Sequence, residues 1–268
     1  MTMSPFRAIG LGITAIFILM AVVSPFLGDA SEFLSNPVHD PPSWRHWFGT
    51  DQQGHDVFLR VVAGAGVAWQ VLLASTLVSC LVGVPLGLVS GYWGGWLDRL
   101  LVFVMDTLYT IPSLLIAIAI AFVAGQQGII TASIALSVGY IPQYFRVVRS
   151  QTLSLKTEPY IEAARAIGIS TAKILGKYIG LMLWQTLPIL FSLNAADAIL
   201  TLAGLGFLGL GVPAELPEWG HDLKQALDVL ATGEPIWWTT LFPGLAMTLM
   251  ATGLALLAES IEFNGQRH

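Results

Sequence analysis

The chain has 268 residues, 55% of them hydrophobic and only 11% charged, with a formal net charge of −5 and a mean hydropathy of +0.72. Soluble domains carry about 25% charged residues, so this composition excludes a soluble enzyme or binding module and describes an integral membrane protein. The single cysteine, Cys80, rules out an internal disulfide framework, and nothing resembles a nucleic-acid surface.

Apolar runs near or above the roughly 18 residues that cross hydrocarbon occur at about 8–27, 67–91, 98–123, 127–145, 183–211 and 237–260. The expected fold is therefore all-α, a polytopic bundle of six transmembrane helices. Its two parts are a first span with an external loop (1–66) and a core of five spans (67–268). The first run is longer than the roughly 7–15 residues of a signal-peptide core and reads as a retained span. With the amino terminus inside, Arg7, Arg99, Arg146, Arg149, Lys156, Arg165, Lys173, Lys177 and Arg267 are cytoplasmic, while Arg45, Arg60 and Lys224 are external. Nine against three obeys the positive-inside rule and puts both termini in the cytoplasm.

The first external loop carries Trp44, Trp47 and Phe48, then Asp56 as the acid of a helix start that runs on into the second span. The second external loop, about 212–235, repeats the arrangement with Trp219, Asp222 and then Leu223, Ala226, Leu227 and Leu230 at helical spacing. Both read as short helices at the outer membrane interface, with tryptophans at headgroup depth. In the second span Gly83, Gly87, Gly91 and Gly95 recur every fourth residue. Such a face admits close approach of another helix. Pro112, Pro142, Pro188 and Pro243 lie in or beside other spans and are kink sites.

Asp106, Asp197 and Asn194 are polar residues inside apolar runs, candidates for a pore lining or for buried hydrogen-bonded positions. Asp106, with Tyr109 on its face, reads as a structural acid; Asp197 fits either role. Gly204, Gly206 and Gly209 match a dinucleotide fingerprint, but in a membrane run without strand or ribose-reading acid they read as packing glycines. No phosphate-binding loop occurs, because Gly176-Lys177 is followed by Tyr178. His55 and His221 each sit in a Gly-His-Asp triplet, the chemistry of helix starts more than of a metal centre, and no metal site is expected.

Between the fourth and fifth runs lies a polar island, the main cytoplasmic loop at about 149–182. Thr157 or Glu158 caps a helix with Pro159 in its first turn, and Glu162 and Arg165 form an i,i+3 pair. Gly168 suits a left-handed helix end, and Ser170 caps a second helix. The hairpin presents an apolar patch of Ala163, Ala164, Ile167 and Ile169 rimmed by charge. Periodicity alone leaves open a docking site, a hairpin resting on lipid headgroups, or a plain connection.

The run Glu162-Ala163-Ala164-Arg165-Ala166-Ile167-Gly168 resembles the EAA loop of the membrane subunits of ABC importers. Further stretches in order resemble the C-type permease of the dipeptide/oligopeptide/nickel group. They are 48–56, Gly83-Val84-Pro85-Leu86-Gly87, 91–99, Met105-Asp106, Ile111-Pro112-Ser113, 207–211, Trp219-Gly220 and Phe242-Pro243-Gly244. The resemblance implies a non-catalytic permease of the bacterial inner membrane, importing dipeptides or oligopeptides. Nickel or metal chelates are the alternative cargo, and a proton-coupled secondary transporter using Asp106 and Asp197 is the rival class. It further implies a homologous second permease, two ATP-binding subunits that hold the ATP and Mg, and an external substrate-binding protein. The residues it assigns to ATPase docking are Tyr160, Glu162, Ala163, Ala164, Arg165, Ala166, Gly168 and Ser170. Three departures stand out: Gly180-Leu181-Met182 replaces a common Leu-Pro-Asn, His55 a common Arg, and Leu202 a common acid.

Overall fold

The computed structural model describes residues 5–30, 36–231, 233 and 236–265. Among these there is no β-strand, only a lone bridge between Thr50 and Asp56. The helices are α1 (Pro5–Leu27), α2 (Val57–Trp93), α3 (Gly95–Thr110), α4 (Ser113–Ala124), α5 (Ile129–Leu155) and α6 (Pro159–Ala166). There follow α7 (Thr171–Lys173), a π-helical turn (Ile174–Ile179), α8 (Gly180–Leu183), α9 (Leu187–Phe207), α10 (Trp219–Leu230) and α11 (Trp238–Gly265).

The expected six spans resolve differently. Among the described residues α1, α2, α9 and α11 are each long and apolar enough to cross a membrane. The third run is not one helix, because α3 and α4 meet at 92°. Ile111 precedes Pro112, which drives it into the extended region (φ −89°, ψ 127°), and the chain turns there. The fourth run lies in the 27-residue α5. That helix continues past the apolar stretch through Gln143, Arg146, Arg149 and Gln151, which keeps it below the hydropathy of a simple span.

The 37-residue α2 is the axis of the fold. At 1.5 Å per residue it is about 55 Å long, well beyond the roughly 30 Å of hydrocarbon, so its ends project. The Asp56 carboxylate caps it, accepting from the amides of Phe58 (2.8 Å) and Leu59 (3.3 Å). The helix start expected at Asp56, running on into the second span, is the first turn of α2 rather than a helix lying at the outer interface. Gly83, Gly87 and Gly91 lie flat against α5. A Cβ on Gly87 would stand 2.7 Å from the Phe145 carbonyl oxygen and 2.9 Å from Val148 Cβ. Gly95 does not share this face: the helix breaks at Gly94, and Gly95 opens α3 with nothing nearby.

The main core gathers Val61, Ala65, Val71 and Leu72 of α2, Leu136 and Tyr140 of α5, Ile199 and Leu205 of α9 and Met250 of α11. Short α4 leans on this core where Ser113 meets Gly139 and Leu114 meets Gly204. α1 lies outermost, crossing α11 where Gly10 and Gly253 let the two helices approach.

Candidate functional site

The hairpin is built on the ends of α2 and α5. Ile161, Ala164, Ile174, Ile179 and Leu183 form a small second core with Val148 of α5, flanked by Val84, Leu88 and Tyr92 of α2. Glu158 occupies the N-cap of α6 and Pro159 its first turn, as the sequence implies, although neither Glu158 nor Ser170 makes a side-chain cap bond. Gly168 is left-handed at φ +76°. Its amide donates to Arg165 O (3.0 Å) and that of Ile169 to Ala164 O (3.0 Å), the paired bonds of a Schellman turn.

Arg165 does not pair with Glu162. Its guanidinium instead lies over the Tyr92 ring at 5.1 Å, with Nε donating to the Tyr92 hydroxyl (3.2 Å) and an Nη donating to Lys156 O (3.2 Å). Lys156 Nζ donates to Gly91 O (2.7 Å), satisfying a carbonyl at the open end of α2. Asp98 takes both bonds of a bidentate pair from Arg149 (2.6 and 2.8 Å), joining α3 to α5. Hairpin and span ends are therefore strapped into one unit.

The expected apolar patch is smaller than the sequence implies. Ala164 is buried in the hairpin's own core and Ile169 is half-buried, because the Schellman turn folds Ile169 back over Ala164. What remains exposed is Ala163, Ala166, Tyr160 and Ile167, the last 77% exposed, rimmed by Glu162 and Arg165. Gly168 and Ser170 are exposed beside them. The second arm of the hairpin is irregular. The π turn lies directly before Gly180-Leu181-Met182, and the chain turns again at 184–186 before α9.

Between α3 and α5, Asp106 and Arg146 form a pair at 2.7 Å, both about half-exposed, with Arg146 over the Tyr109 ring at 4.2 Å. Asp197 is exposed, and its Oδ2 accepts from the hydroxyls of Tyr140 (2.9 Å) and Thr201 (3.4 Å). Asn194, three residues before Asp197 on α9, is buried with its Nδ2 unpartnered. Sequence reading missed Arg146 and Tyr140 as partners. The available signal was an opposite charge at the edge of one apolar run and an acid within another.

The opposite end of the bundle is closed by α10. Arg60, only 3% exposed, donates through Nε (3.0 Å) and an Nη (2.5 Å) to one oxygen of Asp222. Glu218 caps α10 through the amides of Gly220 and His221, both at 2.9 Å, and lies against Gly206. Burial raises its carboxyl from 4.5 to about 8, against those two amides. Burial also pushes Asp51 up, but hydrogen bonds from His55 outweigh it and hold Asp51 below its ordinary value. Gly206 and Gly204 are packing glycines, one against α10 and one against α4, and Gly209 is left-handed past the end of α9. Trp219 does not face outward as a membrane-interface residue would. It is 2% exposed, packed on Gly64 with its indole donating to Val61 O (3.1 Å). His55 bonds Asp51 and His221 bonds Gln225, each within its own loop or helix.

A helical membrane bundle carrying a rigid polar hairpin across the ends of two long helices has the build of a transport subunit worked from outside the bilayer. Residues 83–263 match the family of binding-protein-dependent transport system inner membrane components, and the chain belongs to that family, the permeases of ABC importers. It is 36% identical, over 94% of its length and 83% of the relative's, to the dipeptide transport system permease DppC of Alkalihalophilus pseudofirmus. It is 32% identical, over 92% and 83%, to the glutathione transport system permease GsiD of Pectobacterium atrosepticum. The fold is that of the MetNI methionine ABC transporter in inward-facing form, at TM-score 0.58 and 20% identity, covering 78% of this chain and 94% of that one. Family membership sets aside the proton-coupled secondary transporter.

Proposed function

We propose that the chain is the permease through which an ATP-driven importer passes dipeptides or oligopeptides, and that the 159–170 hairpin receives an ATP-binding subunit. The observation that carries this is the hairpin itself. An exposed apolar face of Tyr160, Ala163, Ala166 and Ile167 stands on a segment strapped to α2 and α5 by Lys156, Arg165 and Tyr92. Movement of a docked subunit is then passed to two long helices as a rigid-body shift. The cargo class is carried over from relatives whose names specify dipeptide and glutathione transport.

On this reading both termini and the hairpin are cytoplasmic, and the first span with its loop is appended to the transporting core; the expected boundary at 66/67 moves to the start of α2 at Val57, because that helix is continuous from there. A homologous second permease completes the path, two partner subunits bind ATP and Mg and carry out hydrolysis, and an external binding protein delivers cargo. The permease itself is non-catalytic and needs no cofactor. Gly83, Gly87 and Gly91 keep α2 and α5 moving together, while Asp106 and Asp197 face the path. The test is affinity purification of this chain from native membranes, followed by identification of the co-purifying chains and of the ligand held by the binding protein. A second permease, two ATP-binding subunits and a peptide are expected; purification without an ATP-binding subunit refutes the reading.

A further inference from the structure

Asp197 is the middle residue of the 21-residue α9, ten residues from Leu187 and ten from Phe207. At 1.5 Å per residue its carboxylate stands close to the centre of a hydrocarbon layer roughly 30 Å thick. It lies on the exposed stripe of α9 between Leu193 and Leu200. Two hydroxyls, Tyr140 and Thr201, both donate to Oδ2. Among the described residues Oδ1 accepts no hydrogen bond and no cation pairs with Asp197.

The other exposed acid of this region is arranged in the opposite way. Asp106 carries its counter-ion within the chain, the Arg146 guanidinium at 2.7 Å. Asp106 is thus balanced by Arg146, whereas the Asp197 carboxylate has no counter-ion among the described residues. Such a charge is strongly disfavoured against lipid tails, and intramembrane acids of this kind face a water-filled path or a partner. The fixed Oδ2 and free Oδ1 form a half-completed cation site.

We propose that Asp197 receives the ammonium terminus of a peptide cargo during its passage, with Tyr140 and Thr201 positioning the carboxylate. This rests on the peptide-import reading above. An ammonium group supplies three N–H donors and one positive charge, completing Oδ1 and neutralising the site for as long as the cargo is present. The internal pairing of Asp106 shows that where this chain needs permanent neutrality it encodes the counter-ion itself. At Asp197 it encodes only the two orienting hydroxyls.

The test uses the whole importer, with its second permease, ATP-binding subunits and binding protein, reconstituted in liposomes and given labelled trialanine. Asp197→Asn is expected to lower trialanine imported per ATP hydrolysed about tenfold, the worth of one charge-assisted hydrogen bond. Asp197→Glu is expected to recover most of the loss. Unchanged import by Asp197→Asn, or a loss that Asp197→Glu does not recover, overturns the proposal. Failure of the unmodified importer to take up trialanine refutes the peptide reading itself, and the ammonium site with it.

Discussion

The two ends of the bundle handle charge in opposite ways. At the α10 end, buried Arg60 is paired with a largely covered Asp222 and Glu218 is sealed beneath Gly206. At the hairpin end, Arg165 and Glu162 are exposed, and Lys156 closes the end of α2. The first arrangement makes a lid that is costly to disturb. The second spends little stability and leaves an apolar residue, Ile167, in the open. On the proposed function that asymmetry has a use: a firm closure where the chain folds on itself, and a rigid but accessible handle at the end proposed to receive the driving subunit.

The largest effect separating the ends is expected from Arg60→Ala. Removing one partner of a buried ion pair costs about 3–5 kcal/mol, and a thermal melt of the detergent-solubilised protein should show it. Arg165→Ala at the hairpin end should leave the melt nearly unchanged, losing about 1 kcal/mol of exposed cation–aromatic and hydrogen-bond contact. Equal losses at the two positions would erase the distinction.

Glu218 gives the lid a pH signature. Burial raises its carboxyl from 4.5 to about 8. Below pH 4.5 it is protonated folded or unfolded, and its contribution is fully present. Between 4.5 and about 8 the unfolded chain ionises while the folded chain holds its proton, so stability falls as pH rises, levelling off above about 8. Urea unfolding across that range should show the decline, and Glu218→Gln should flatten it.

Gly168→Ala is the milder change at the hairpin. Alanine in a left-handed position at φ +76° costs about 1 kcal/mol. It should loosen the turn, lowering uptake severalfold while the chain still inserts. An intact coupling ratio in this variant would show that the turn's rigidity is immaterial.

Much of this was legible in the sequence because it depends on neighbours along the chain. The Gly168 turn, Pro159 in the first helical turn, Asp56 as a cap and the four-residue spacing of Gly83, Gly87 and Gly91 all act locally and are found as read. The readings that changed depend on distant partners. Gly95 keeps the spacing of the glycine face but falls beyond the break at Gly94. Ala164 has the composition of a docking surface, but Val148 and Ile174 cover it. Trp219 has the chemistry of a membrane-interface residue, yet Gly64, 155 positions earlier, leaves it a slot in the core. The bend at Pro112 was readable as a kink but not as a turn of 92°, which follows from where α4 finds Gly139 and Gly204. The pairing of Arg146 with Asp106 likewise needs the packing of α3 on α5 to be seen.

If the exposed face of the hairpin receives the driving subunit, Ile167→Glu should disrupt that contact. At 77% exposure the side chain contributes little to the fold, so insertion and melting should match the unmodified protein. Purified from membranes expressing the whole importer, this variant is predicted to retain its second permease but lose the ATP-binding subunits, and uptake with them. A variant that keeps those subunits at full occupancy and transports normally would contradict the account.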